Sequence, residues 1–256
     1  MKPYDVVPIP AFNDNYVWTL RDATHAIVVD PGDAKPVIAY LDREGLELAA
    51  ILNTHHHADH VGGNGALLAR WAVPVFGPHD ERIAEVTQRV GDGDRVRLPH
   101  FEIDLDVIEI PGHTRSHIAF TGDGLLFCGD TLFAVGCGRL FEGTPAQMHE
   151  SLGRLVRLPD STRVYCGHEY TLANIRFAKA VEPDNAALLD LESRATRQRE
   201  RGEPTLPTDI GQEKATNPFL RVREPQVVAA ASHYTGSALR DPVEVLAAIR
   251  EWKNKF

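Results

Sequence analysis

Residues 54–60 read Thr-His-His-His-Ala-Asp-His and follow directly on the apolar run Ala49-Ala50-Ile51-Leu52. His55 and His57 stand two apart, so a bent or extended segment can aim both at one cation. Asp59 and His60 add a carboxylate and another imidazole at once. The segment sits where a buried strand opens into a loop, a common place for chemistry on a rigid scaffold. The same arrangement recurs three times. Val107 to Ile110 is followed by Pro111-Gly112-His113, Leu125 to Cys128 by Gly129-Asp130, and Arg163 to Cys166 by Gly167-His168. Each time an apolar run ends in a glycine, which permits a tight turn and close backbone approach, and then in a metal-competent side chain. If those strand ends share one edge, His55, His57, Asp59, His60, His113, Asp130 and His168 converge. A surface histidine cluster accounts for residues 55–57 but not for this recurrence.

Seven donors are too many for one tetrahedral ion, which takes four, and suit two metals per chain. The expected division puts His55, His57 and His113 on one ion and Asp59, His60 and His168 on the other. Asp130 is expected to bridge, since two dications at close range repel. Imidazole and carboxylate donors fit Zn, the first choice, and also Fe or Mn. His56 and His117 neighbour the donors and are read as structural. His25, His79, His100, His149 and His233 are isolated in the sequence. Asp30, in Val28-Val29-Asp30-Pro31-Gly32, is read either as a partner of a donor histidine or as a turn former.

The rest of the chain fits an ordinary soluble protein. It has 256 residues, 43% hydrophobic, enough for a sizeable core. No apolar run approaches the ~18 residues that span a bilayer. The net charge of −9 argues against a nucleic-acid surface. Three cysteines cannot all pair within one chain, and Met1-Lys2-Pro3-Tyr4-Asp5 opens no secretory leader, so a cytoplasmic location is expected. Cys128 and Cys166 lie in apolar runs and read as buried.

Charge and texture change together. Residues 1–172 carry −10 and residues 173–256 carry +1. The first part has short apolar runs bounded by Gly, Pro, Asn and Asp, the pattern of strands between turns. Helical patterns intervene at Lys35–Arg43, Asn64–Trp71, Asp80–Val86 and Pro145–Leu155, the last with Thr144 as N-cap. After Thr171 strand signals fade. Leu172–Val181, Asn185–Arg199, Gln226–His233 and Val243–Trp252 read as helices, with Asp184 and Asp241 as caps. The expected domains are an α/β catalytic domain over 1–172 and a helical domain over 173–256.

The His-x-His-x-Asp-His signature resembles the metallo-β-lactamase superfamily, over residues 1 to about 170. That resemblance implies an αββα sandwich with metals at one edge, here followed by a small all-helical C-terminal domain. Further motifs look like the glyoxalase II family: Asn13-Asp14-Asn15-Tyr16, Gly129-Asp130-Thr131-Leu132-Phe133, Gly136-Cys137-Gly138-Arg139, Gly167-His168-Glu169-Tyr170-Thr171, Asn217-Pro218-Phe219-Leu220-Arg221, and a terminal helix carrying Arg250 and Lys253. This likeness runs over essentially the whole chain.

The family resemblance implies hydrolysis of S-(2-hydroxyacyl)glutathione, chiefly S-D-lactoylglutathione, to glutathione and D-lactate by a metal-bound hydroxide, the second step of methylglyoxal detoxification. It implies catalytic roles for Asp59 and Asp130, and substrate binding by Arg139, Tyr170, Arg250 and Lys253. The expected partner is a small-molecule substrate, with no nucleic acid, no membrane and a monomeric chain. Phe141 stands where the family often has a hydroxylated aromatic, and Ser116 where it commonly has glycine. Arg250 and Lys253, three apart on one helix face, are expected to be exposed, so their contribution should weaken at high salt. The rival within the fold is a glutathione persulfide dioxygenase with a single iron, against which the basic terminal helix argues. A metal-dependent nuclease is disfavoured by the charge. A non-enzymatic module leaves the seven donors without purpose.

Overall fold

The computed structural model describes residues 4–256; Met1, Lys2 and Pro3, part of the leader expectation, lie outside the described residues. The chain divides into two compact units, the first running to Glu109 and resuming over Ser116–Gly129, the second formed by Ile110–Arg115 and Asp130–Phe256.

The first unit contains β1 (Asp5–Ala11), β2 (Asn15–Arg21), β3 (His25–Val29), α1 (Ala34–Glu44), β4 (Glu47–Leu52), α2 (Ala58–Val61), α3 (Asn64–Leu68), β5 (Val75–Gly77), β6 (Gln88–Arg89), β7 (Arg95–Arg97), β8 (Asp104–Glu109), β9 (Ile118–Gly122) and β10 (Leu125–Gly129). Strands β1 to β3 pair antiparallel and β3 to β6 parallel. Strands β7 to β10 form an antiparallel meander. β3 and β4 are near-continuous apolar runs because both faces of the sheet are covered. Ala26, Val28 and Ile51 pack with Val37 and Leu41 of α1 and Leu67 of α3. The parallel register sets Val29 beside Leu52. Both strands therefore end side by side, and Asp30 and the 53–60 segment leave the sheet together.

Local chemistry explains the differences from the sequence reading. Asp80–Val86 is not a helix. The Asp80 carboxylate takes the Arg82 backbone N–H (3.0 Å), and Ile83 N bonds Asp80 O (3.2 Å) and Val86 N bonds Ile83 O (3.4 Å). A side chain competing for backbone donors gives two successive turns in place of a helical ladder. The helical pattern at Asn64–Trp71 shortens to α3.

The second unit contains β11 (Leu132–Phe133), β12 (Gly136–Cys137), α4 (Pro145–Leu155), β13 (Arg163–Cys166), α5 (Thr171–Val181), α6 (Ala186–Glu200), β14 (Thr208–Asp209), α7 (Ile210–Thr216), α8 (Pro225–Thr235) and α9 (Pro242–Lys255). α4 starts on a reciprocal cap: Gln147 N donates to Thr144 Oγ1 (3.2 Å) and Thr144 N donates to Gln147 Oε1 (2.9 Å). Asn185, not Asp184, caps α6, its side chain taking Leu188 N (3.2 Å). Asp241 caps α9 as expected. The seven-residue α7, absent from the sequence reading, is capped by Asp209. Phe177 lies among Phe219, Trp252 and Phe256, with ring centroids at 6.1, 5.4 and 5.4 Å. Among the described residues no helix is long and apolar enough to cross a membrane.

The hairpin β11–β12 turns through Val135 at φ 58°, a costly conformation for a β-branched residue. Fully buried Glu213 holds it. Val135 N (2.8 Å) and Asn217 Nδ2 (2.9 Å) donate to Glu213 Oε2, and Thr208 Oγ1 (2.7 Å) donates to Oε1. Burial outweighs these donors and pushes the carboxyl from 4.5 up to about 7. The folded chain thus holds this proton more tightly than the unfolded chain does. The resulting stability is full below pH ~4.5 and is lost as pH rises through ~7, a loss of roughly 3 kcal/mol at 1.36 kcal/mol per unit. Glu213→Gln is expected to flatten that slope. The check is chemical unfolding of both proteins at pH 5 and pH 8; equal pH dependence would refute the assignment.

Candidate metal centre

In the first unit the donors are built on Asp30. Its backbone has a left-handed φ of 53°, and its N–H bonds Leu52 O (2.9 Å) across the strand ends. The carboxylate accepts from Thr54 N (2.7 Å), Thr54 Oγ1 (2.7 Å) and His60 Nδ1 (3.0 Å). With the Thr54 hydroxyl proton committed to Asp30, the Thr54 oxygen accepts from His55 Nδ1 (3.0 Å). One carboxylate therefore fixes two imidazoles in the tautomer that leaves Nε2 as a lone-pair donor. Asp30, His55 and His60 each bring a ligand atom within 4.8 Å of the others. Asp30 is occupied in aiming the two rings.

His55 Nε2 lies 3.2 Å from His57 Nδ1, and His60 Nε2 lies 3.5 Å from Asp59 Oδ2. Asn15 Nδ2 donates to Asp59 Oδ2 (3.1 Å) and to Asp59 O (3.3 Å), tying the β1–β2 turn to this carboxylate. His117 stacks on His55 with centroids 4.5 Å apart. Gly129, at φ +46°, ends β10 against this group. A Cβ there would come within 2.3 Å of Thr54 Oγ1 and 2.9 Å of the His117 ring.

In the second unit His113, Asp130 and His168 gather, all buried. His113 Nδ1 donates to Arg139 O (2.8 Å), which leaves its Nε2 3.5 Å from Asp130 Oδ2. His168 Nε2 lies 3.3 Å from the same oxygen. Gly138 permits this close packing, because a Cβ there would lie 1.9 Å from Asp130 O. Tyr170 stacks on His168 at 4.7 Å, and Phe133 meets both rings edge-on.

Both donor groups fit a borderline divalent metal. Two atoms each ~2.1 Å from one tetrahedral ion lie about 3.4 Å apart, and the N···N and N···O separations above cluster there. The donors are imidazole nitrogens and carboxylate oxygens, the set that suits Zn, Fe and Mn. His56 is not among them; its Nδ1 lies 3.4 Å from Asp80 Oδ2. Burial works to raise the Asp80 carboxyl, yet the Arg82 side chain, the Ser116 hydroxyl and the Arg82 N–H together hold it well below the usual range. Sequence reading gave Asp80 no functional place because Asp80-Glu81-Arg82 resembles a helix start. His25 and His100, isolated in sequence, stack on each other at 3.8 Å.

The residues expected to bind substrate share the second unit. Arg139 is exposed and Tyr170 half-buried. Arg250 and Lys253 depart from expectation. Arg250 is only 5% exposed, donates from Nη1 to Cys137 O (2.7 Å) and lies over the Phe219 ring. Lys253 Nζ donates to Asn174 Oδ1 and lies 5.7 Å from the Phe177 centroid. Burial, then the neighbouring Arg250 charge, pushes the Lys253 amine down to about 7, against the smaller opposing effect of Cys137. Arg250 is packed inward because α9 buries Leu246, Ile249 and Arg250 on one face, and Lys253, three residues on, is half-buried. Cys128, Cys137 and Cys166 are all buried, and none is in a disulfide. Phe141 is exposed and stands edge-on to His113 at 5.3 Å.

The sequence matches the metallo-beta-lactamase superfamily over residues 12–168 and the hydroxyacylglutathione hydrolase C-terminus over residues 169–256. A hydroxyacylglutathione hydrolase of Nitrosomonas europaea is 51% identical, covering 98% of this chain and 96% of that protein. One of Alkalilimnicola ehrlichii is 54% identical, covering 98% and 99%. Among solved structures, BLEG-1 B3 metallo-beta-lactamase superposes with a TM-score of 0.64 at 24% identity, covering 85% of this chain and 99% of that one. TTHA1623 in a di-iron-bound form gives 0.59 at 25%, covering 84% and 100%. The fold is that of the metallo-beta-lactamases, followed by a helical C-terminal region, and the chain belongs to the hydroxyacylglutathione hydrolase family of that superfamily.

Proposed function

We propose that the chain hydrolyses S-(2-hydroxyacyl)glutathione, chiefly S-D-lactoylglutathione, to glutathione and D-lactate. The observation that carries this reading is the neighbourhood of Cys137-Gly138-Arg139. Arg250 reaches the Cys137 carbonyl, while the Arg139 carbonyl holds the donor His113. Cationic groups able to take the carboxylates of glutathione thus share one short segment with the support of a metal donor. The full-length identity to hydroxyacylglutathione hydrolases supports the same substrate.

In this reading residues 1–172 form the catalytic domain and 173–256 the glutathione-binding domain. His55, His57 and His113 would hold one divalent ion, Zn first, and Asp59, His60 and His168 would hold a second, with Asp130 as the carboxylate available to both. That Asp130 Oδ2 approaches both His113 and His168 supports the bridging role. Such metals, when bound, would supply a water of lowered pKa and polarise a carbonyl oxygen. Asp59, steadied by Asn15, orients the attacking water toward the thioester carbon. Arg139, Tyr170, Arg250 and Lys253 hold the glutathione portion. The carbon–sulfur bond breaks, and the thiolate leaves readily because a free thiol has a pKa of only ~8.5. Three buried cysteines, none of them in a disulfide, are in keeping with a reducing cytoplasm.

The test is thiol release from S-D-lactoylglutathione, compared with simple thioesters and a β-lactam. Preference for the glutathione thioester is expected, with about two metals per chain by elemental analysis. Equal turnover of simple thioesters removes the glutathione assignment, and one metal per chain after reloading removes the binuclear one.

A further inference from the structure

Asp80, in the turns after β5, lies outside the donor set yet touches the segments around it. It is 7% exposed. Arg82 N (3.0 Å) and Nε (2.8 Å) donate to its Oδ1, and Arg82 Nη2 (2.7 Å) donates to Oδ2. The Ser116 hydroxyl donates to the same Oδ2, and His56 Nδ1 stands 3.4 Å from it. Arg89 Nη1 donates to the Asp80 carbonyl (2.7 Å), so the turn is itself anchored to the end of β6. One buried carboxylate thus joins the residue between His55 and His57 to the residue before His117, whose ring backs His55.

We propose that Asp80 is a positioning residue for the metal centre, holding His55 and His57 in chelating geometry through His56 and backing His55 through Ser116 and His117. Residues 55–57 belong to no helix or strand; His57 is tied at its carbonyl, which accepts from His60 N (2.9 Å) and Val61 N (3.2 Å) at the start of α2, and the His56 backbone lies before that anchor. With only one residue between two donors, rotation about the His56 backbone swings His55 Nε2 and His57 Nδ1 apart. Holding the His56 ring suppresses that rotation. Ser116 acts from the other side: His117 Nδ1 donates to Ile118 O (3.1 Å), and the ring lies nearly parallel to His55 at 14°. Asp80 serves this role as an anion held in place by Arg82, with Oδ2 also facing Ser116 and His56, and it needs no contact with metal or substrate.

The inference rests on the metal-centre reading above and is tested by a measurement independent of turnover. Zinc affinity of the full chain is measured by competition with a chromophoric chelator for wild type, Asp80→Asn and Ser116→Ala. Loss of a group that orients a metal-binding histidine weakens metal binding by roughly 10- to 100-fold. That loss is expected for Asp80→Asn, and a smaller one, about threefold or more, for Ser116→Ala. Inhibition by glutathione should be unchanged in both, since the glutathione-holding residues lie elsewhere. If Asp80→Asn does not fold, Ser116→Ala alone decides. A wild-type chain that takes up no zinc overturns the metal-centre reading itself. Folded variants with wild-type zinc affinity overturn only the Asp80 proposal, as does an equal loss of zinc and glutathione binding, which marks a general structural role.

Discussion

Asp130→Ala is expected to abolish thioester hydrolysis and to strip metal from the protein. Asp130 Oδ2 is approached by both His113 Nε2 (3.5 Å) and His168 Nε2 (3.3 Å). Each of those imidazoles is assigned to a different ion, so removing this carboxylate takes a donor from both. It also takes away the negative charge that offsets repulsion between two dications. A fall in kcat of at least about a thousandfold is expected, ~4 kcal/mol at 1.36 kcal/mol per decade. Metal content by elemental analysis should fall well below two. The backbone should stay in place, since the close contact with Gly138 involves the Asp130 carbonyl rather than its side chain. Two metals and normal turnover in the variant would place the bridge elsewhere.

Lys253→Met is expected to raise KM for S-D-lactoylglutathione by about tenfold or more while sparing kcat. The methionine keeps an unbranched stem over Phe177 and Phe219 and deletes the ammonium, together with its bond to Asn174. A hydrogen bond to a charged group contributes ~1.5–3 kcal/mol, and 1.4 kcal/mol is a decade. A contact remote from the reacting bond is equal in ground and transition states, so its loss appears in KM. Burial adds a pH signature. The amine, pushed down to about 7, is charged below that pH and neutral above it. Wild-type KM should therefore rise as pH increases through ~7, and that limb should vanish in Lys253→Met. Partly buried cations are screened less than exposed ones, so salt should change the effect little. An unchanged KM, or a KM rise shared by simple thioesters, would count against the glutathione assignment.

The four segments that bring the candidate donors into two groups could be picked out because each obeys one rule: an apolar run, a glycine or polar break, then a side chain with a lone pair. Helix α4 was legible for a similar reason, since Thr144, Pro145 and Gln147 all signal the same start. The misreadings share a cause as well. Asp80-Glu81-Arg82 has helical composition, but the Asp80 carboxylate captures the N–H that a helix needs. Helix α7 was hidden because it spans only seven residues and carries Gly211. Arg250 reads as a surface charge in a terminal helix. Its burial depends on the Cys137 carbonyl, 113 residues away in sequence, and local pattern cannot report such a partner.

Asp30 carries a consequence for how this protein is made. Its carboxylate sets the proton positions on His55 and His60 through groups of the chain alone. These rings are therefore aimed when the polypeptide finishes folding, and loading them asks for no refolding. A chain built this way can emerge from the ribosome, fold, and take up its ions afterwards from whatever the cell has to spare. Imidazole and carboxylate donors do little to discriminate Zn from Fe or Mn. With the metal centre proposed above, metal identity is expected to follow nutrient supply during growth, so that protein from zinc-starved and zinc-replete cells shares one fold while differing in cargo.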